Sequence, residues 1–228
     1  MRPVPRWSLK TIFCLALLQP TLLSAHDLKG SILLLAKGGK VVDRGADVRT
    51  AVVIWRPAAA VKSVATNRSF QMGTRQKEFE PRVLTIPVGA SVTFPNYDPI
   101  LHNAFSVSEG NRFDLGLGRK GPGKSWTFKN PGLVRVFCNV HHSMVAYIWV
   151  LDTPFYTTPD GSGGFTLANL PEGPGTLEVW HEQTDGTKQT LKMPHAAALT
   201  VKLDVTKPRV PSHLNKTGLS YNQRGDSY

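Results

Sequence analysis

Short runs of β-branched and aromatic residues, broken about every ten positions by Gly, Pro, Asn or Asp, fill the chain from residue 30 to residue 205, and no stretch holds a helical period. A chain punctuated in this way buries its apolar side chains by folding into antiparallel sheets that pack face to face. Twelve runs read as strands: 30–36, 51–55, 82–86, 91–94, 103–107, 125–128, 133–137, 145–151, 164–167, 176–181, 187–191 and 199–205. Turn signals lie between them, among them Asn96-Tyr97-Asp98-Pro99, Asn130-Pro131-Gly132 and Asp160-Gly161-Ser162-Gly163-Gly164. Twelve strands exceed what one small sandwich holds. Residues 61–151 make one sandwich on this reading. Residues 152–205 look like a second that is short of strands, and 26–60 can supply the missing ones, so the first is expected to be inserted into a second that is split in sequence. Pro, Lys, Asn, Gly and Ser dominate 206–228, which reads as a disordered basic tail.

The beginning of the chain carries an export signal. Arg2, Arg6 and Lys10 form a positive region, 11–18 an apolar one, and Leu22-Leu23-Ser24-Ala25 ends in a small residue suited to cleavage. Residues 1–25 are therefore expected to be removed, leaving a periplasmic or secreted protein that starts at His26. Cys14 follows Phe13, which argues against a lipid anchor, and Gln19-Pro20 breaks an apolar run already too short to span a bilayer. No later segment is long and apolar enough to do so. The whole chain has a formal charge of +11, and the three cations of the signal have no acidic counterpart there, which leaves +8. That excess suits an acidic partner or an anionic surface over a basic one, and serves at least as well simply to keep the protein soluble. Nucleic acid is not expected, since no basic run is interleaved with aromatics and export removes the opportunity.

With the signal gone, one of the two cysteines remains, Cys138. A lone cysteine cannot form an internal bridge, and in an oxidising compartment it is open to oxidation. Its surroundings suggest why it is kept. In Val136-Phe137-Cys138-Asn139-Val140-His141-His142-Ser143-Met144-Val145 a strand ends at the cysteine, a tight loop presents His141 and Met144, and a second strand returns. Thiolate, thioether and imidazole together select copper, and two His and one Cys with an axial Met is the donor set of blue-copper electron-transfer sites. The set needs a second histidine from a neighbouring strand, and His102, after the turn at 96–99, fits. Taken singly, Met144 and His102 read as core packing. Their joint spacing with Cys138 and His141 is what points to a metal. A zinc site from His102, Cys138, His141 and His142 is chemically open but leaves Met144 without a role. A thiol nucleophile at Cys138 lacks an orienting third group. His142 reads as solvent-facing, and His181 and His195 as structural or surface residues. His26 could chelate Cu(II) through a freed terminal amine only with a second histidine that the sequence does not identify.

The spacing Cys138/His141/Met144 with His102-Asn103 resembles the cupredoxins, most closely the amicyanins. The stretches Phe79-Glu80-Pro81, Val88-Gly89-Ala90-Ser91-Val92-Thr93-Phe94 and His102-Asn103-Ala104-Phe105 agree with that likeness over about 90 residues. The resemblance implies a Greek-key sandwich holding one type 1 copper ion, with Asn103 tying the two ligand-bearing loops together. Phe94-Pro95-Asn96-Tyr97-Asp98-Pro99, Phe113-Asp114-Leu115-Gly116-Leu117, Cys138-Asn139-Val140-His141 and Leu151-Asp152-Thr153-Pro154 are similar to the bacterial exported proteins named methylamine utilization proteins. Those pair a plastocyanin-like domain with a carboxypeptidase-regulatory-like sandwich. The run from Asp160-Gly161-Ser162 to Leu170-Pro171-Glu172-Gly173 resembles the second half of that regulatory fold, and 30–57 its first half more loosely.

The resemblance implies an electron carrier rather than an enzyme, working with a redox partner protein through the ring of His141. A second reading, of a different class, is a binding or scaffolding protein whose second sandwich contacts a peptide, glycan or partner while copper is structural or stored. A copper enzyme comes last, since four protein donors leave no open position for substrate.

Overall fold

The computed structural model describes residues 25–42, 45–61 and 66–221, so the expected export signal, apart from Ala25, and residues 222–228 lie outside the described residues. The described chain is all-β, with one turn of 3-10 helix at Val48–Thr50. Two pairs of sheets enclose two separate cores. In the first pair, β1 (Ala25–Leu35) lies between antiparallel β14 (Gly164–Pro171) and parallel β17 (Leu199–Asp204). Facing it is a four-stranded sheet in the order β13 (Tyr156–Thr157), β2 (Val52–Pro57), β15 (Gly173–Trp180) and β16 (Thr187–Met193). Leu28, Ile32, Val53, Trp55, Leu167, Leu177, Val179 and Leu203 fill the space between them. The fit is close at Gly175, where a Cβ would lie 2.3 Å from the Trp55 ring.

The second pair carries the loops of interest. One sheet runs β10 (Gly121–Thr127), β7 (Ser91–Asn96), β4 (Gly73–Arg75), β5 (Glu78–Glu80), with β3 (Ser69–Gln71) parallel to β7. The other runs β6 (Val83–Pro87), β12 (Val145–Leu151), β11 (Gly132–Phe137), β8 (His102–Ser106), β9 (Phe113–Gly118). Between them pack Met72, Ile86, Val92, Phe94, Phe113, Phe128, Val136, Ile148 and Val150. Alternation decides which residues face this core. Ala146, Ile148 and Val150 of β12 point into it, while Trp149 and Leu151 point the other way, onto Val52 and Ile54 of β2. Both strands are buried on both faces, which is why they read as unbroken apolar runs. Their outer faces join the two sandwiches.

All twelve expected runs form strands, most of them longer than expected at one end. The five unexpected strands, β3, β4, β5, β9 and β13, have two to six residues and are rich in polar residues or glycine, so they carry little apolar period. The C-terminal end differs more. Across 206–221 the chain is laid against the protein instead of being disordered. The N–H groups of Thr206 and Lys207 donate to the Gln183 carbonyl, and Arg82 donates to the Arg209 carbonyl. The His213 ring then stacks between those of Phe137 and His142, at 4.2 and 4.6 Å. Low hydropathy hides such a segment, because rings and single polar contacts hold it rather than a continuous apolar face.

Candidate metal centre

His102 opens β8 and reaches its place through a loop shaped by one buried amide. Asn96 accepts from Thr74 Oγ1 and from the Asp98 N–H through Oδ1, both at 2.9 Å, and donates through Nδ2 to the carbonyls of Ile100 (2.8 Å) and Gly118 (3.1 Å). All four bonding positions of the side chain are used, so residues 97–101 are drawn into one tight turn. His102 is 3% exposed. Its Nε2 meets Asp98 Oδ2 at 2.8 Å, while its Nδ1 is buried without a hydrogen-bond partner.

Cys138 follows β11 and is fully buried. Its sulfur accepts from the N–H groups of Val140 (3.4 Å) and Asn103 (3.5 Å). The loop from 138 to 144 closes on itself, since the Met144 N–H donates to the His141 carbonyl and the Cys138 N–H to the Met144 carbonyl. The closure carries His141 Nδ1 to 3.9 Å from the Cys138 sulfur, with the rings of His141 and His102 4.9 Å apart. Donor atoms of His102, Cys138 and His141 all lie within 4.8 Å of one another, a cluster able to hold a metal ion. The donors suit a soft cation, and the unpartnered buried Nδ1 of His102 is the nitrogen the site leaves for it. Met144 is 1% exposed and belongs to the same apolar cluster as Cys138. His142 is not part of the donor cluster; it is exposed and lies flat on His213.

Asn103 is expected here from the resemblance, whereas Asp98, Asp114 and Tyr221, which also support this cluster, carry no sequence signal of their own. Asn103 donates to Asp114 Oδ1 (2.8 Å) and the Gly116 carbonyl (2.9 Å) and accepts from the Asn139 N–H (3.3 Å), so it does join the two loops. Burial alone would raise the Asp98 carboxyl, but the N–H groups of Lys77 and Gln76, helped by His102, hold it below the ordinary range. Asp114 is likewise held low, against burial, by Lys216, the Gly116 N–H and Asn103. Tyr221 donates to the Cys138 carbonyl at 2.8 Å, and burial together with the neighbouring cysteine pushes its hydroxyl well above the usual tyrosine value, so it stays a donor.

No protein-family model and no curated protein sequence matches the chain. Solved structures do. The chain is similar to cupredoxins. A purple cupredoxin from Nitrosopumilus maritimus is 26% identical, aligned over 36% of this chain and 98% of its own, with a TM-score of 0.32. The P94F mutant of amicyanin in its reduced state is 22% identical over 39% of this chain and 87% of its own, with a TM-score of 0.34. A Cu-containing nitrite reductase from Thermus scotoductus SA-01 is 26% identical over 43% of this chain and 26% of its own, with a TM-score of 0.37. Among the described residues no helix is long and apolar enough to cross a membrane.

Proposed function

We propose that this chain is an exported electron carrier with one type 1 copper ion held by His102, Cys138, His141 and Met144. The observation that carries the reading is the convergence of the Cys138 sulfur with two imidazoles, one of which keeps a buried nitrogen without any protein partner. Copper bound there would supply one-electron exchange between Cu(II) and Cu(I). The residues would do the rest. Backbone amides of Asn103 and Val140 would steady the thiolate, and a rigid sandwich would keep the donors in one arrangement acceptable to both oxidation states. His141 is the one proposed ligand that reaches solvent. Half-buried Val140 adjoins it and exposed Leu101 adjoins His102, giving a partner a small apolar landing at the ligand edge.

On this reading residues 61–151 are the copper domain, inserted into a regulatory-like sandwich made of 26–60 and 152–205. The signal at 1–25 delivers it outside the cytoplasm. The partner is a redox protein with an acidic face, and the chain is not an enzyme, because the four donors leave no position for substrate.

The test is the optical spectrum of the Cu(II)-loaded protein beside that of Cys138→Ser. The wild type is expected to be intensely coloured by thiolate-to-copper charge transfer and the variant to lose the band while remaining folded. A correctly folded wild type that binds Cu(II) without colour would overturn the reading. Reversible one-electron voltammetry separates a carrier from a protein in which the metal is only structural.

A further inference from the structure

The turn at the end of a hairpin normally lies in water, where its backbone groups find partners. The turn joining β15 to β16 does not. His181, Glu182, Gln183 and Thr184 are four consecutive polar residues, each no more than 8% exposed, so their polar groups need partners within the protein. Thr184 closes the turn, its N–H and its hydroxyl both donating to the His181 carbonyl. The ring of His181 braces it. Nε2 lies 3.2 Å from the Asp47 carbonyl, and Nδ1 lies 3.2 Å from the Gln183 N–H. A carbonyl only accepts and an amide N–H only donates, so the ring is the neutral Nε2–H tautomer with both nitrogens engaged.

The partners of this turn lie in the segment 206–221. The Gln183 carbonyl accepts from the N–H groups of Thr206 and Lys207, both at 3.0 Å, and Lys207 Nζ donates to the Thr184 carbonyl at 2.9 Å. Glu182 holds Arg82, which in turn donates to the Arg209 carbonyl. The root of the segment thus hangs on one buried turn, while its far end reaches the candidate metal loop through His213, Lys216 and Tyr221.

A second proton on the His181 ring has one place to go, Nδ1, where it meets the Gln183 N–H donor to donor. Burial opposes that proton and holds His181 below its ordinary value, which is near 6.5. Three charged groups face the ring. Glu182 of the same turn and Asp47 favour its protonation, and Arg82 opposes it. Glu182 and Asp47 are themselves paired, with Arg82 and Arg49. A ring released to water regains its ordinary affinity for the proton, so acid favours the released state over the moored one.

We propose that His181 is an acid-sensitive mooring for the segment 206–221: protonation of its buried ring breaks the bond from the Gln183 N–H and frees the root of that segment from the Gln183 carbonyl. The inference concerns the metal-free chain as much as a loaded one and does not rest on the copper reading.

Hydrogen exchange of the full chain tests it. In the wild type, protection of the Thr206 and Lys207 amides, corrected for the intrinsic pH dependence of exchange, is expected to fall about tenfold or more between about pH 7.5 and about pH 5. Amides of β15 bonded to β2 should keep theirs. The midpoint should coincide with protonation of His181, read from its ring nitrogens by NMR. His181→Asn keeps an acceptor for the N–H two residues on and has no proton to gain. The fall should vanish in this variant, although His142, His213 and the candidate ligands are all still present. A fall of the same size in the variant, a midpoint apart from the His181 titration, or a loss in β15 in step with the segment overturns the proposal. A wild type that keeps its protection in acid does so too. The wild-type midpoint decides the matter even where the variant does not fold.

Discussion

Asn103 shows how much one buried amide can hold together beside a metal site. Its backbone N–H serves the Cys138 sulfur, and its side chain spans from Asp114 and Gly116 in β9 to Asn139 in the 138–144 loop. Asn103→Ala would leave the half-buried Asn139 N–H and Gly116 carbonyl to find other partners. A fully buried group left unsatisfied costs about 1–3 kcal/mol, so a loss toward the low end of that range in urea denaturation is expected, with a broadened visible band on copper loading. A variant with wild-type stability and spectrum would show that the loops do not depend on this link. Asn103 was legible in the sequence because it adjoins His102 in a motif with a known resemblance. Asp98 was not. It lies four residues before His102, a spacing that brings side chains together on a helix and has no such meaning in a loop. The contact exists because Asn96 folds that loop and because a hairpin twenty residues earlier supplies the amides.

The segment 206–221 behaves as a strap across the candidate metal loop. His213 fills the space between Phe137 and His142, and Tyr221 meets both histidine rings edge-on and bonds to the Cys138 carbonyl. Lys216 adds contacts to Asn139 and Asp114, but the Lys216–Asp114 pair is too exposed to contribute much. Most of the hold therefore comes from the rings. Removing 206–228 should leave the sheets intact and loosen the loop they support. Hydrogen exchange is the suitable measurement: amides 138–144 should exchange faster in the truncated protein, while those of β11 and β12 that face each other keep their protection. Equal exchange in both proteins would mean the strap merely rests on the surface. Composition could not reveal this element. The same composition signal worked well for β12 and β2, where unbroken apolar runs reported burial on both faces, but a strap held chiefly by His213, Lys216 and Tyr221, three side chains spread over nine positions, has no period to detect.

At the scale of the molecule, the question is whether two sandwiches with separate cores behave as one folding unit. They share the cluster of Val52, Ile54, Trp149 and Leu151, with Trp180 edge-on to both Tyr147 and Trp149. Beside it lies a charged knot. Arg82, just before β6, reaches Glu182, just after β15, through Nε and Nη2 at 2.7 Å, and also donates to the carbonyls of Val145 and Arg209. One guanidinium thus touches both sandwiches and the strap. Both side chains of the pair are largely out of water, so their attraction is offset by the cost of desolvating them, and the intact pair adds little net stability over an apolar replacement. Breaking it is another matter, because Arg82→Met would strand the Glu182 charge in a buried place at a cost of about 3–5 kcal/mol. The double change Arg82→Met/Glu182→Leu removes that charge and is expected to recover most of the loss, short of the hydrogen bonds to Val145 and Arg209. Denaturation followed both by tryptophan fluorescence and by the copper band distinguishes the possibilities. The wild type and the double variant should each lose both signals together, whereas Arg82→Met should lose them at a lower denaturant concentration, with the transitions drawn apart. If the single variant matches the wild type in both, the sandwiches are held by the apolar cluster alone and the arginine only decorates their junction.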